Sequence, residues 1–402
     1  MAMVLEQLPK PAELDDDVFA GENLQNPYPF YEKLRDAGPV VKFKKWDSYA
    51  LARHKELKQA LTDWESFTSS AGVGLGNIKK GETWRSPSAL VEVDPPAHTK
   101  IRSALQKIIS PVVVRGWRQQ FEAVAETYVT EKIAQNTFDG VRDLGEGFVL
   151  AVFPDAIGVA VDRDLIISIS DFNFNSVGPQ NERFWKSKER ADKVMDRFLS
   201  VFERKNLIPG GFGEKLYQVE DEGQVGEGVA NSVLRSILRG GMDTTMSAIG
   251  SCLKLFADNP DQWEIFKSDP TKWAVPAFEE TIRLETPIQS YYRTTTKRME
   301  FSGVTLDSDV KVQMIVASGN RDPRAWSNPE KFDITRKNYE QIAFGAGIHT
   351  CIGQMIARLE TEAVLKVLGR KVKKLEAVGP APHRTINTLR TLDRLPMRAI
   401  LN

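Results

Sequence analysis

Cysteine is nearly absent from this chain: 402 residues carry two, Cys252 and Cys351. Two cannot build a disulfide framework, they do not form a CxxC pair, and no further thiols are left to complete an iron–sulfur cluster. Histidine is almost as scarce, with four at His54, His98, His349 and His383, so a multi-ligand zinc site has little to draw on. No apolar run approaches the roughly 18 residues that cross a bilayer. The opening "MAMVLEQLPKPAELDDDVFAGE" lacks both an apolar core and a cleavage-site pattern. A soluble protein of the reducing cytoplasm is expected. Excess charge is missing too. Lysine plus arginine number 54, aspartate plus glutamate 54, and the formal net charge is zero. That balance gives no general attraction to nucleic acid or to an anionic membrane. Repeats, low-complexity tracts and obvious linkers are also lacking.

What is present is length enough for a large core, as one domain or two lobes. "NPYPFYEKLRDAG" predicts a short helix opened by a proline turn and closed by Gly38. "VVKFKKWDSYALAR" predicts a pair of strands, and a loop-rich stretch then runs to Pro96. From there to about residue 285 the patterns are helical, broken at "NLIPGGFG" and "DNPD". "MEFSGVTLDSDVKVQMIVAS" returns to short strands. The expected fold class is mainly α, with small sheets at the two ends of the sequence.

One cysteine sits in "FGAGIHTCIG", Phe344 to Gly353. Gly345, Gly347 and Gly353 let the backbone take positive φ or approach something closely. Next, "IGQMIARLETEAVLKVLGR" spaces Met355, Leu359, Ala363 and Val367 by four, and Ile356, Val364 and Leu368 widen the stripe. This predicts an amphipathic helix. Cys351 then lies at a helix N-terminus, where the dipole and free N–H groups favour the thiolate. A bare thiolate in a tight bend calls for a metal or an electrophile. The plain alternative is a small buried hydrophobe in a turn. No His–Asn pair for a cysteine nucleophile is evident.

Two further stretches matter. In "EETIR", Glu280 and Arg283 face the same side of a helix, which by itself is no more than a solvated ion pair. "LRGGMDTTMSAIG" lies inside a pattern from about Gly226 to Asn259, ended by Pro260. Val229, Val233 and Ile237 mark one apolar line, and Leu238, Met242, Met246 and Ile249 another. A central buried helix is predicted. Gly240 and Gly241 interrupt it at roughly 1 kcal/mol each relative to alanine. Either they form a packing notch, with Thr244 bonding back to a carbonyl, or they open a groove beside an acid and an alcohol.

Taken in this order, the motifs resemble those of the cytochrome P450 family, whose cysteine loop reads FxxGxHxCxG in outline. The resemblance implies a mainly α cytochrome P450 fold with small β-sheets, as a single domain over residues 1–402. It makes Cys351 the thiolate ligand to the iron of haem b, sets Phe344 against the haem and gives Gly353 the role of clearance. Glu280 and Arg283 would be buried and joined by Arg336 of "NRDPRAWSNPEKFDITR". Asp243 and Thr244 become the candidate catalytic residues, Asp243 relaying protons and Thr244 holding the activated oxygen by a hydrogen bond. His98 and Arg102 of "AHTKIR", Arg293 of "YYRTTT" and His349 would hold the two propionates, although His98 could be an ordinary surface histidine. Members of the family are monooxygenases that use O2 and NAD(P)H-derived electrons. With no flavin or iron–sulfur region appended, a separate ferredoxin and ferredoxin reductase are the expected partners. Lys100, Arg102, Lys107 and Arg115 offer either a docking patch for an acidic carrier or a solvated helix face.

"DWESFTSSAGVGLGN", "WRSPS", "GPQNE", "RTTTKR" and "SGNRDPRAWSNPEKFDITRK" are similar to bacterial members that oxidise para-substituted benzoates, including O-demethylation of 4-methoxybenzoate. This likeness puts Arg85 and Ser88 at the carboxylate of a small aromatic substrate, with help from Ser236 on the central helix. Ser236, Gly240, Asp243 and Thr244 share one helical face by their spacing. Phe174, Val177, Ile288 and Tyr291 would wall the ring. Arg239 departs from the pattern, standing where a small hydroxyl residue is expected. It could add a second guanidinium or form a salt bridge that reshapes the pocket. Tyr291 replaces an expected phenylalanine. A neutral phenol or alkyl-methoxyphenol is thus an alternative substrate. A non-catalytic haem sensor is an alternative of another class, and peroxide-driven oxidation a third. The Asp243–Thr244 pair argues against the last two.

Overall fold

The computed structural model describes residues 9–402. The first eight residues of the N-terminal stretch read above lie outside the described residues.

Helix α1 (Tyr28–Ala37) starts after Pro27 and stops at Gly38, as its proline and glycine predict. The other helices that build the site are α2 (Ala97–Ile108), α3 (Pro111–Ile133), α4 (Gly147–Ile157), α5 (Arg163–Asn175), α6 (Glu182–Asp192), α7 (Val229–Asp258), α8 (Pro270–Leu284) and α9 (Gln354–Lys371). The strands are β1 (Ala12–Leu14), β2 (Val41–Phe43), β3 (Ser48–Leu51), β4 (Phe67–Thr68), β5 (Phe138–Asp139), β6 (Tyr291–Thr295), β7 (Met299–Phe301), β8 (Val304–Leu306), β9 (Lys311–Met314), β10 (Val372–Ala377) and β11 (Pro396–Leu401).

The expected placing of the sheets needs one correction. Strands from both ends of the sequence share a sheet of order β1-β2-β3-β9-β6-β4. Its seam is the parallel pairing of β3 with β9, which sets Tyr49 opposite Val312. On the other side Val312 faces Arg293 across the antiparallel β6–β9 pair, so the seam fixes where Arg293 stands. Val316–Gly319, predicted as the end of a strand, is a helical turn that buries all four residues.

Helix α7 runs through the middle. From Met242 to Leu253 nearly every residue is buried, as its two apolar lines predict. The two glycines divide the alternatives between them. A Cβ on Gly241 would lie 2.7 Å from Phe153 Cε1, so α4 crosses α7 in a true packing notch. A Cβ on Gly240 would meet nothing within 4 Å, because that side opens on a cavity. Helix α9 packs against α3, α7 and α8. It is buried well beyond the predicted stripe, with Glu360, Thr361 and Glu362 also inside. Among the described residues no helix is long and apolar enough to cross a membrane.

Candidate active site

The bend around Cys351 is closed by its own N–H, which donates to the Phe344 carbonyl at 2.9 Å. Gly345 and Gly347 take φ of 71° and 70°. At Gly347 a Cβ would also sit 2.7 Å from the Leu61 carbonyl oxygen, so only glycine fits where the loop presses on its neighbour. Gly353 is different. Its φ is an ordinary −82°, and a Cβ there would approach only Cys351 Sγ, at 3.9 Å. Its contribution is space beside the sulfur, not conformation.

In front of Cys351 lies a cavity of about 340 Å³. Phe344, Ile352 and Ala357 line one side; Gly240, Thr244 and Ala248 of α7 line the other. Arg102, Arg293 and His349 form its rim. His98 is buried, which removes the surface-histidine alternative, and its ring stands 4.4 Å from that of His349. The Nε2 atoms of His98 and His349 are buried without a hydrogen-bond partner. Arg102 donates to the Thr350 carbonyl and Arg293 to that of Tyr292 at 3.3 Å. Among the described residues neither arginine shares an ion pair with an acid. Burial, His349 and Arg102 together push the His98 imidazole down to about 4. Asp94, 3.7 Å from His349 Nε2, stays ionised: burial raises it, but His349, Thr68 and Ser69 outweigh that.

Below this floor Glu280 and Arg283 are fully buried and doubly bonded, at 2.7 and 2.9 Å. Arg336 Nε reaches the same carboxylate at 3.0 Å, and the Asp333 N–H at 3.1 Å. The remaining arginine nitrogens donate to the carbonyls of Asn320, Pro329, Ser327 and Asn328. A pair that reads as a surface bridge in sequence is thus the clasp between α8 and the segment before the cysteine loop.

On α7, Thr244 Oγ1 donates to the Gly240 carbonyl at 2.7 Å, the back-bond allowed for above. Ser236, Gly240 and Thr244 line the cavity, but Asp243 does not. At its level α5 covers that face of α7, and the Asp243 carboxyl faces Ser170 instead. Its Oδ2 has no partner. Burial lifts it to about 7, helped by Asp171 and Glu146 and opposed by Ser170 and Arg384.

The far end of the cavity is polar. Ser88 Oγ and Ser236 Oγ are 2.7 Å apart. Arg85, expected at a substrate carboxylate, is closed onto Glu92 by two bonds of 2.8 and 2.7 Å, so it has an acid already. Arg239 lines the cavity and makes no salt bridge among the described residues; Nε donates to the Arg235 carbonyl at 3.3 Å. Phe174, Val177, Ile288 and Tyr291 line the walls between this pole and Cys351.

A profile described as "Cytochrome P450" matches residues 276–370. Over 384 residues the chain is 41% identical to cytochrome P450 CYP199A2 of Rhodopseudomonas palustris, covering 95% of this chain and 93% of that one. The chain belongs to the cytochrome P450 family. It is also 26% identical to linalool 8-monooxygenase of Pseudomonas putida, over 92% of this chain and 95% of the relative. Among solved structures, cytochrome P450 CYP109Q5 from Chondromyces apiculatus superposes with a TM-score of 0.79 at 25% identity, covering 97% of this chain and 99% of that one. CalO2 superposes with a TM-score of 0.84 at 20% identity, covering 97% of this chain and 99% of that one, a likeness of fold. This P450 is a monooxygenase of the mainly α P450 fold, with haem b, O2 and NAD(P)H-derived electrons delivered through partner proteins.

The residues fit a haem. A flat group with iron against the Cys351 sulfur and two anionic arms would answer the unpartnered His98 and His349 nitrogens and the acid-free Arg102 and Arg293. Burial pushes the Cys351 thiol up, while the Gly353 and Gln354 N–H groups, Arg102 and Arg358 pull it the other way. Sequence reasoning missed Glu360. It lines the cavity, 1% exposed, both oxygens without a partner. Burial raises it well above the ordinary carboxylate range, against a smaller pull from Thr245. Its signal was present: Glu360 interrupts the apolar line from Ile356 to Val364.

Proposed function

We propose that this P450 inserts one oxygen atom from O2 into a para-substituted aromatic acid, by oxidative O-demethylation of 4-methoxybenzoate-type substrates. The observation that carries this reading is a cationic, hydroxyl-bearing pole, Arg239 with Ser88 and Ser236, across an apolar-walled cavity from Cys351. A carboxylate bound there turns the para substituent toward the sulfur end. The 41% identical relative and the sequence likeness to benzoate-oxidising members support the same class.

When bound, the haem supplies the oxidation of the methyl C–H by activated O2. One methyl hydrogen is replaced by hydroxyl, the second oxygen atom leaves as water with two electrons and two protons, and the hemiacetal collapses to the phenol and formaldehyde. Phe174, Val177, Ile288 and Tyr291 orient the ring and exclude water. Thr244, whose hydroxyl donates to the Gly240 carbonyl and lines the cavity, would be the alcohol available to donate a hydrogen bond beside a bound haem. Asp243, poised at about 7, passes protons along α7 from the Ser170 side. Cys351 would hold the iron of a bound haem, with Phe344 and Gly353 beside it, and His98, Arg102, Arg293 and His349 would hold the propionates. Glu280, Arg283 and Arg336 fix the floor, within a single domain over 1–402. Electrons arrive from a separate ferredoxin and its reductase.

Titration of the oxidised haem protein with 4-methoxybenzoate should shift the Soret band as water is displaced. Supply of ferredoxin, reductase and NADH should then release formaldehyde. No shift with the acid, beside a clear one with a neutral methoxyphenol, overturns the reading in favour of the phenolic alternative.

A further inference from the structure

Lys311, the first residue of β9, is the one buried lysine among the described residues. It forms no ion pair there; the nearby acid Asp309 is taken by Lys80 at 2.7 Å. A lysine removed from water needs acceptors in exchange. Lys311 has two: Nζ donates to the Ala71 carbonyl at 3.0 Å and to that of Gly72 at 2.9 Å. Both carbonyls belong to the loop-rich stretch before α2, far from β9 in sequence.

What this ammonium pins is the support of the polar pole. Val73, next after Gly72, lines the cavity, and its N–H donates to Glu92 at 3.1 Å. The same carboxylate takes both arms of Arg85 and the Ser88 N–H at 2.8 Å. Ser88 Oγ in turn meets Ser236 Oγ on α7. A continuous run of bonds therefore leads from β9 through Gly72, Val73 and Glu92 to the paired hydroxyls. Strand β6 lies alongside: Thr294 stands opposite Lys311, one residue from Arg293 on the cavity rim. One sheet thus fixes both the rim, through Arg293, and the loop that carries Ser88, through Lys311.

Resting on the aromatic-acid reading, we propose that Lys311 is a positioning residue for the substrate carboxylate. It does not line the cavity. It acts by holding the Ala71 and Gly72 carbonyls, and with them the place of Glu92 and Ser88 relative to α7. Without the pin the loop drifts from Ser236, and the two hydroxyls no longer converge on one carboxylate.

The test is Soret titration of the haem-loaded protein at neutral pH with two probes. One is 4-methoxybenzoate; the other is imidazole, a neutral ligand of haem iron that makes no use of the pole. Lys311→Met, which keeps the length and removes the donor, should weaken 4-methoxybenzoate about tenfold, the worth of roughly one displaced hydrogen bond. Imidazole affinity should be unchanged. Lys311→Gln, which retains an N–H donor, should lose less, and it carries the test if Lys311→Met does not fold. An unchanged carbon monoxide spectrum certifies each variant. Because Lys311 acts through the placing of Ser88, its loss and that of Ser88→Ala should overlap in the double variant rather than add. If the Lys311 variants bind the acid as the parent does, lose acid and imidazole alike, or add in full to Ser88→Ala, the positioning inference falls while the aromatic-acid reading stands. If 4-methoxybenzoate leaves the band of the parent unmoved, both fall.

Discussion

Asp243 is an acid placed where ionisation is costly, and the consequence can be read in stability. Its carboxyl is lifted from about 4 when unfolded to about 7 when folded. The folded chain therefore holds a proton that the unfolded chain has released across that window. The sign follows: this residue's contribution is fully present below about pH 4 and is lost as pH rises to about 7. Asp243→Asn cannot ionise, so its stability relative to the parent should rise over the same window, by about 4 kcal/mol at most. Thermal unfolding of both proteins at acidic and neutral pH measures this; a difference independent of pH would contradict it. The adjacent glycines make a paired prediction. Gly241→Ala drives a methyl into the Phe153 ring and should cost about 1–3 kcal/mol, partly recovered by Phe153→Leu. Gly240→Ala meets nothing, and should leave stability unchanged or raise it by about 1 kcal/mol while narrowing the cavity beside Thr244. Unfolding midpoints and substrate titrations of the two variants separate these effects.

Among the elements, the clasp between α8 and the segment before the cysteine loop carries the largest single-residue prediction. Removing Arg283 leaves the buried Glu280 carboxylate with only Arg336 and the Asp333 N–H, both on one oxygen, and frees the Asn320 and Pro329 carbonyls. Arg283→Ala should therefore cost about 3–5 kcal/mol and lower the ratio of bound haem to protein. Arg336→Lys, at the partly accessible end of the same carboxylate, should cost less. Equal haem content and unfolding midpoints in all three proteins would mean that the clasp does not hold the floor. This element also shows why some features are legible in sequence and others are not. Helices α7 and α9, the first strands and the cysteine bend follow from periodicity, proline and glycine, which are local. Burial of the Glu280–Arg283 pair is not local, and it reached the sequence reading only through resemblance. Three other facts were hidden because their partners come from elsewhere in the chain or from the packing around them. Glu92 closes Arg85, α5 turns Asp243 away from the cavity, and packing around α9 buries Glu360 at the cavity wall, which its place in the apolar line only hints at.

On the scale of the molecule, the haem floor must exchange electrons with a partner protein through the surface nearest to it. Helix α2 joins the two: Arg102 and His98 point inward to the rim, while Lys100 and Lys107 on the same helix are exposed. Arg115, at the start of α3, is exposed beside them. Among the described residues none of the three exposed cations forms an ion pair, whereas Arg118, one turn further on, is held by Glu362 at 2.9 Å and Glu122 at 3.3 Å. With a formal net charge of zero for the whole chain, this local excess is a directional signal and not a general one. An acidic carrier approaching it is steered over a range set by the Debye length, about 8–10 Å at ordinary salt. Lys107→Glu and Arg115→Glu should therefore slow reduction of the haem by a ferredoxin, the more so in combination. Reduction of the parent should slow as salt rises, and that dependence should flatten in the variants. Reduction by dithionite, which needs no docking, should be unaffected in every case. Stopped-flow reduction at several ionic strengths reads all of this, and ferredoxin rates equal in parent and double variant would leave these residues as a solvated helix face.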